Sequence, residues 1–166
     1  MGHFDELSAK KVVASSVDMN GTFKGHRRPS ELLVDNAGAG AIRGALTETE
    51  SGGIFLVPAL TSGTQTIALP APVVGVCYTF VMVGTAGQIM NVETDVSDTK
   101  ILAAKPDGAG NNTAISQGYN LVGFKAAAVI GSSFTITCIS TTAAHAWLVT
   151  DVVDGLAANT GSINLA

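Results

Sequence analysis

The stretch TQTIALPAPVVGVCYTFVMVG, from Thr64 to Gly84, decides the fold class of this chain. Ile67 and Leu69 alternate with small or polar residues, which is the period of a strand with one buried face. The segment PAP that follows ends this strand, because proline has no N–H for a ladder and fixes its own φ. The next run, Val76 to Val83, is apolar at both sets of alternate positions, so we expect a strand covered on both faces.

Short runs of the same kind recur on either side of this stretch, separated by Gly, Pro, Asn, Ser and Thr. Close spacing of strands and turns predicts an all-β fold, a single antiparallel β-sandwich or barrel domain. In FKAAAVI (124–130) alanine also permits a helix, and the polar segment from Lys105 to Gly118 predicts a long loop. The predicted strands are Gly53–Val57, Thr64–Leu69, Val76–Val83, Gln88–Thr94, Lys100–Ala103, Leu121–Ile130, Ser133–Ser140 and Ala144–Val152.

Charge is distributed unevenly along the chain. Residues 1–50 hold six of the nine Lys and Arg residues and few large apolar ones. We therefore predict an N-terminal arm over residues 1–50, extended or partly helical, a β-domain over 51–153 and a frayed C-terminal tail over 154–166. Within the arm, NAGAGAIRG (36–44) has the composition of a flexible loop. Its G-x-G-x-x-x-G spacing lacks the strand–helix context of a nucleotide-binding loop.

The overall composition is poor in charge. Hydrophobic residues make up 46% and charged residues 13%, against roughly 25% charged residues in a typical soluble protein. Such a chain either keeps much of its surface against a partner or risks aggregation, which favours an oligomer or a lattice-bound protein. The net charge of −4 gives no reason to expect nucleic-acid binding. We also expect no transmembrane helix, because no apolar run approaches 18 residues, and no signal peptide.

Few residues suggest catalysis or metal binding, and we predict a protein that is not an enzyme and has no cofactor. Cys77 and Cys138 fit buried apolar positions, with a disulfide or a zinc site as alternatives. The remaining candidates are weak. They are a calcium site at Glu93, Asp95 and Asp98, and a hydrolytic triad of His145 with Ser140 and either Asp151 or Asp154.

The basic residues near the N-terminus are the best candidates for partner binding. In GHRRP (25–29) two adjacent arginines can pair with acidic groups of a partner, although a solvated loop explains the same residues. The predicted partner-binding residues are Lys10, Lys11, Lys24, His26, Arg27 and Arg28.

The pattern GIFLV…TQTIALPAP…GVCYTFVMV…GSSFTITCIS…HAWLV, within residues 51–153, resembles one found in small structural proteins of tailed bacteriophages. These include capsid decoration (cement) proteins. The resemblance implies a compact β-domain whose N-terminal arm runs onto the major capsid protein, and a homotrimer on the outer surface of the virion head. It thus implies a protein assembled in the host cytoplasm that stabilises the capsid lattice. The alternative is a phage fibre or knob module that binds host-surface glycans, and a small hydrolase is a third interpretation.

Overall fold

The computed structural model describes residues 30–35, 38–94, 99–106, 112–153 and 163–165. Twelve strands are formed in these ranges, together with two short 3-10 turns at Glu48–Glu50 and Ala143–His145, and no α-helix is found within them. The strands are β1 Ser30–Leu32, β2 Gly40–Ala41, β3 Gly53–Val57, β4 Gln65–Ala68, β5 Cys77–Met82, β6 Met90–Glu93, β7 Ile101–Pro106, β8 Asn112–Tyr119, β9 Leu121–Phe124, β10 Ser133–Cys138, β11 Trp147–Val153 and β12 Ile163–Leu165.

The strands form two mixed sheets. The seven-stranded sheet has the order β1-β3-β5-β10-β11-β7-β8, and the five-stranded sheet has the order β12-β9-β6-β4-β2. The mainly β class predicted from the sequence is therefore confirmed.

The prediction of purely antiparallel pairing is wrong. Half of the strand pairs formed by the described residues are parallel, including β1 with β3, β3 with β5, β2 with β4 and β4 with β6. From β1 to β6 successive strands alternate between the two sheets, so the chain returns to each sheet in the same direction. The PAP segment thus marks a crossover between sheets and not a hairpin.

One hydrophobic core contains side chains from both sheets. Stacked rings cross the seven-stranded sheet on its inner side: Phe55 lies 5.4 Å from Phe80, and Phe80 lies 5.2 Å from Phe134, measured between ring centroids. Phe134 then contacts Phe124 of the five-stranded sheet at 5.1 Å. Large aromatic side chains contribute much of the apolar area of a core, so this row of rings is a major part of the contact between the two sheets.

The predicted strand cores are present, but several predicted ends and faces differ. On β5 only alternate residues are fully buried, and Cys77, Thr79 and Val81 are half-buried, so coverage on both faces is wrong. The strand predicted from Leu121 to Ile130 ends at Phe124. The residues after it form a turn in which the Ala128 N–H donates to the Lys125 carbonyl, so neither the rest of the predicted strand nor the alternative helix is formed.

Three segments expected to be irregular form strands. The polar segment after Lys105 contains β8, which pairs antiparallel with β7. Residues 40–41 of the expected flexible loop pair with β4, and residues 163–165 of the expected frayed tail pair with β9. Backbone hydrogen bonding is satisfied here without a strong alternation of side chains, which is why the sequence pattern did not indicate these strands.

The described part of the predicted arm is built into the body. Leu33 and Leu46 are buried in the common core, and the Leu46 N–H donates to the Ala68 carbonyl at 2.9 Å. Residues 1–29 lie outside the described residues, and their arrangement as an arm stays a prediction.

Gly123 has the least room for a side chain among the described glycines of the strands. It pairs with Asn91 of β6, and a Cβ added at Gly123 would lie 1.9 Å from the Met90 carbonyl oxygen. Because the obstructing atom belongs to the backbone, any larger residue would push β9 away from β6.

Candidate interaction surface

The edge strand β1 lies where residues 1–29 join the described fold. As far as the described residues go, β1 is the outermost strand of the seven-stranded sheet, and all three of its residues are exposed. Leu32 is 60% exposed, and Val34 just beyond the strand is 75% exposed. An edge of this kind presents backbone N–H and C=O groups to which a further strand can bind.

A clamp centred on Arg43 holds β1 in place. Nη1 of Arg43 donates to the Glu31 carboxylate of β1 at 2.5 Å, and Nη2 of Arg43 donates to the Glu50 carboxylate at 2.6 Å. The guanidinium carbon lies 5.3 Å from the centre of the Phe55 ring, in the range of a cation–π contact. The clamp therefore ties the edge strand to the 3-10 turn before β3 and to the core.

The turn that carries Glu50 is itself well fixed. Thr47 and Glu50 form a capping box, in which the Thr47 N–H donates to Glu50 Oε2 at 2.8 Å. Burial alone would raise the pKa of the Glu50 carboxyl, but hydrogen bonds from Arg43 and Thr47 and the charge of Arg43 outweigh burial, so its pKa lies below the ordinary value. The carboxylate is thus held in its ionised form.

A buried tyrosine of β5 also holds this turn in place. The Tyr78 hydroxyl donates to the Thr47 carbonyl at 2.8 Å. Burial, followed by the nearby negative charges of Glu50 and Glu48, raises the pKa of Tyr78 well above its ordinary range. The hydroxyl therefore remains a hydrogen-bond donor at any physiological pH.

A cleft of about 290 Å³ opens beside the clamp, lined by Ser30, Glu31, Glu50, Gly53 and Phe55. Two carboxylates face a single guanidinium, so the local charge is negative. This charge lies at the point where the basic N-terminal segment enters the fold.

The outward positions on five adjacent strands of the seven-stranded sheet are nearly free of charge. We define the outer face as the outward positions of β1, β3, β5, β10 and β11, which follow from the strand registers and the alternation of burial. Aliphatic side chains, hydroxyls and one thiol make up this face, with no Asp, Glu, Lys, Arg or His. Its members are Ser30, Leu32, Ile54, Leu56, Cys77, Thr79, Val81, Ser133, Thr135, Thr137, Leu148, Thr150 and Val153.

One charged residue, Asp151, is exposed within β11 between Thr150 and Val153, which are both members of this face. Asp151 sits at the register irregularity of β11 with φ 51°, and its carboxylate accepts a hydrogen bond from the Thr150 hydroxyl at 3.2 Å. Within the face, the hydroxyls of Thr79 and Thr135 bond to each other at 3.1 Å. Some of the polar groups of the outer face are thus already satisfied inside the molecule.

The two cysteines do not pair. Both are free, and the buried side chain of Cys138 and the half-buried one of Cys77 alternate to opposite faces of the sheet. Burial raises the pKa of the Cys138 thiol, which donates to the Ser140 carbonyl at 3.4 Å. The prediction that the cysteines occupy buried apolar positions therefore fits Cys138. The alternative of a disulfide is excluded, because the two side chains point to opposite faces of the sheet.

The other residues considered from the sequence do not assemble into a reactive site within the described ranges. The Ser140 hydroxyl accepts from the Thr142 N–H, and the Asp151 carboxylate accepts from the Thr150 hydroxyl, so the hydrogen bonds formed by these two side chains among the described residues do not involve His145. Asp154 lies outside the described residues, as do Asp95 and Asp98 of the suggested calcium site. No group of three potential metal ligands is found among the residues described.

All six predicted partner-binding residues, Lys10, Lys11, Lys24, His26, Arg27 and Arg28, lie outside the described residues. Conversely, sequence reasoning missed the Arg43 clamp. The T-x-x-E spacing of Thr47 and Glu50 is a readable capping box, but the link from Arg43 to Glu31 depends on how β1 packs against β3.

Comparison with known proteins adds no family assignment: no protein-family model and no curated protein matches the chain. In the part of the chain that the structure describes, no helix is long and apolar enough to span a membrane.

Proposed function

We propose that this chain is a structural protein of a tailed-phage virion, a capsid decoration protein that binds the outer surface of the head. In this proposal it acts as a homotrimer and stabilises the lattice of the major capsid protein, without catalysis or cofactor. We further infer that the two sheets pack face to face as a sandwich, which the Phe124–Phe134 contact between them supports.

The observation that carries the proposal is the position of β1. A segment with five Lys and Arg residues leads directly into an exposed edge strand. That strand is fastened to the body by Arg43 through Glu31 and Glu50. A pull on the N-terminal segment is therefore transmitted to the core through the clamp and through the β1–β3 ladder.

Such a design suits a protein that strengthens an assembled shell. An extended segment that orders on docking can cover a long stretch of a neighbouring subunit, or add a strand to its sheet. A protein that binds the assembled state, and not the free subunits, stabilises that state by mass action. The basic side chains of the segment supply pairing with acidic groups on the shell.

Co-sedimentation with heads of the encoding phage that lack this protein tests the proposal. Full-length protein should pellet with expanded heads, and a variant without residues 1–28 should remain in the supernatant while keeping its thermal transition. Binding of the unmodified protein should weaken as salt rises, because salt screens ion pairs. A variant with Gln at positions 10, 11, 24, 27 and 28 should bind weakly already at low salt and depend little on salt, whereas Lys125→Gln should bind like the full-length protein. Absence of the protein from head pellets, together with binding on a glycan array, would reject the proposal in favour of a fibre module.

A further inference from the structure

We propose that the outer face of the seven-stranded sheet is the surface that docks on the capsid, against an uncharged, flat patch of the major capsid protein. This inference rests on the proposed function and assigns the contact to a defined side of the molecule. The observations behind it are the composition of the face, its size, and the place where the N-terminal segment joins it.

The outer face differs in composition from an ordinary solvated face of a sheet. A sheet with one solvated face normally carries polar and charged residues there, and about a quarter or more of a protein surface is charged. The outer face carries aliphatic residues such as Ile54, Leu56 and Leu148 beside threonines, and Asp151, at the irregularity in β11, is the one charged residue among its strand positions. Depletion of charge is the feature that distinguishes the core of a protein interface from the rest of the surface.

Desolvation of this face costs little. The Thr79 and Thr135 hydroxyls already bond to each other in the middle of the face, so contact with an apolar partner leaves fewer polar groups without a partner than on an ordinary sheet surface. A charged partner surface would find only the Asp151 carboxylate to pair with there, so the occupant is itself mostly uncharged at the contact.

The area of the outer face indicates whether a second copy of the chain or a larger partner binds there. Five strands about 4.8 Å apart and about five residues long, at about 3.3 Å each, span an area of roughly 350 Å². A stable dimer buries about 800 Å² on each partner, so two outer faces pressed together fall well short. A shell subunit that also binds the N-terminal segment supplies the missing area.

The N-terminal segment joins the face at its border. Ser30 and Leu32 of β1 belong to the outer face, and residues 1–29 continue from Ser30. Fully extended, this segment reaches about 95 Å. Face and segment can therefore contact the same shell, where the bound face raises the effective concentration of the tethered segment.

A lysine placed in the middle of the face tests the inference. Thr135→Lys places a long charged side chain in the contact if the face docks, and we expect its affinity for decoration-free heads to fall at least 100-fold. Thr135→Val keeps the shape and removes only the hydroxyl, so it should bind within a factor of about three of the unmodified protein. Thr85→Lys adds the same charge in an exposed loop away from the face and should also leave binding unchanged.

The outcomes separate this inference from the proposed function. If the unmodified protein fails to bind heads, the proposed function fails. If it binds and Thr135→Lys binds equally well, or Thr85→Lys loses as much affinity, the docking face is wrong while the function stands. Sedimentation equilibrium of the free proteins provides the remaining check: an oligomer that Thr135→Lys dissociates would assign the face to a second copy and overturn the inference. Unchanged near-ultraviolet circular dichroism of Trp147 confirms that each variant is folded.

Discussion

Replacing Arg43 by methionine removes the charge of the clamp and keeps much of its apolar stem. The substitution breaks the hydrogen bonds to Glu31 and Glu50 and the contact with the Phe55 ring. Arg43 is 19%, Glu50 27% and Glu31 46% exposed. The pair with Glu50 is therefore the stronger of the two, since solvent screens the pair with Glu31 more.

The expected loss follows from these three contacts. A charged hydrogen bond in a partly buried site contributes about 1.5–3 kcal/mol, an exposed ion pair about 0.2–1 kcal/mol, and a cation–π contact about 0.5–1 kcal/mol. Because the contacts share one group, they do not add fully. We expect the free energy of unfolding at pH 7 to fall by about 2–3 kcal/mol, which lowers Tm by roughly 5–10 °C in a chain of this size.

The loss should depend on pH in a defined direction. The pKa of Glu50 in the folded protein lies below the ordinary value of 4.5, so its contribution is fully present above about pH 4.5 and is lost as pH falls through the folded pKa. Without Arg43, burial of the Glu50 carboxylate opposes the charged form. The difference in stability between the parent protein and Arg43→Met should therefore be largest near pH 7 and shrink towards pH 3.

Urea denaturation at pH 7 and at pH 3.5 measures both effects, with Lys125→Met as the matched loss of one cation elsewhere. Hydrogen exchange adds a local measurement, because the Leu33 N–H that donates to the Leu56 carbonyl at 2.9 Å should exchange faster once β1 is released. A loss below about 0.5 kcal/mol at pH 7, or an equal loss at both pH values, would refute the role assigned to the clamp.

Three further predictions concern the core and the thiols. Gly123→Ala should prevent folding or give insoluble protein, because its Cβ would meet the Met90 carbonyl at 1.9 Å, as solubility and circular dichroism would show. Phe134→Ala should lower the free energy of unfolding by about 3–5 kcal/mol in urea denaturation, since it removes the ring that links the two sheets. In thiol titration of the native protein, Cys77 should react before Cys138, whose pKa is raised by burial.

Matched variants accompany each of these predictions. Gly44→Ala should fold normally, because a Cβ there meets nothing within 4 Å. Thr135 is next to Phe134 on β10 but lies on the outer face, so Thr135→Ala should lower the free energy of unfolding by no more than about 1 kcal/mol. In Cys77→Ser the fast thiol reaction should disappear. A soluble, native Gly123→Ala protein, equal losses from the two β10 variants, or a fast reaction that survives Cys77→Ser would each contradict the packing described here.

The sequence by itself determined the central parts of the strands with a clear hydrophobic pattern and, where apolar and polar residues alternate, which of them enter the core. In β10, the alternation of Phe134, Ile136 and Cys138 with polar residues matches the observed burial. The signal is local, because an alternating strand buries one face whichever neighbour it pairs with. The concentration of charged residues in residues 1–50, six basic and seven acidic, was equally visible without a structure.

Only the tertiary structure decided how the strands are paired and what the outer face contains. A PAP segment ends a strand equally well before a hairpin or a crossover, so β4 and β5 could not be assigned to different sheets from their sequences. Likewise, the uncharged face and the Arg43 clamp are made of residues far apart in the chain, such as Ile54 beside Thr79 and Arg43 beside Glu31. The register between strands brings them together, and register is fixed by packing of the whole core rather than by any single segment.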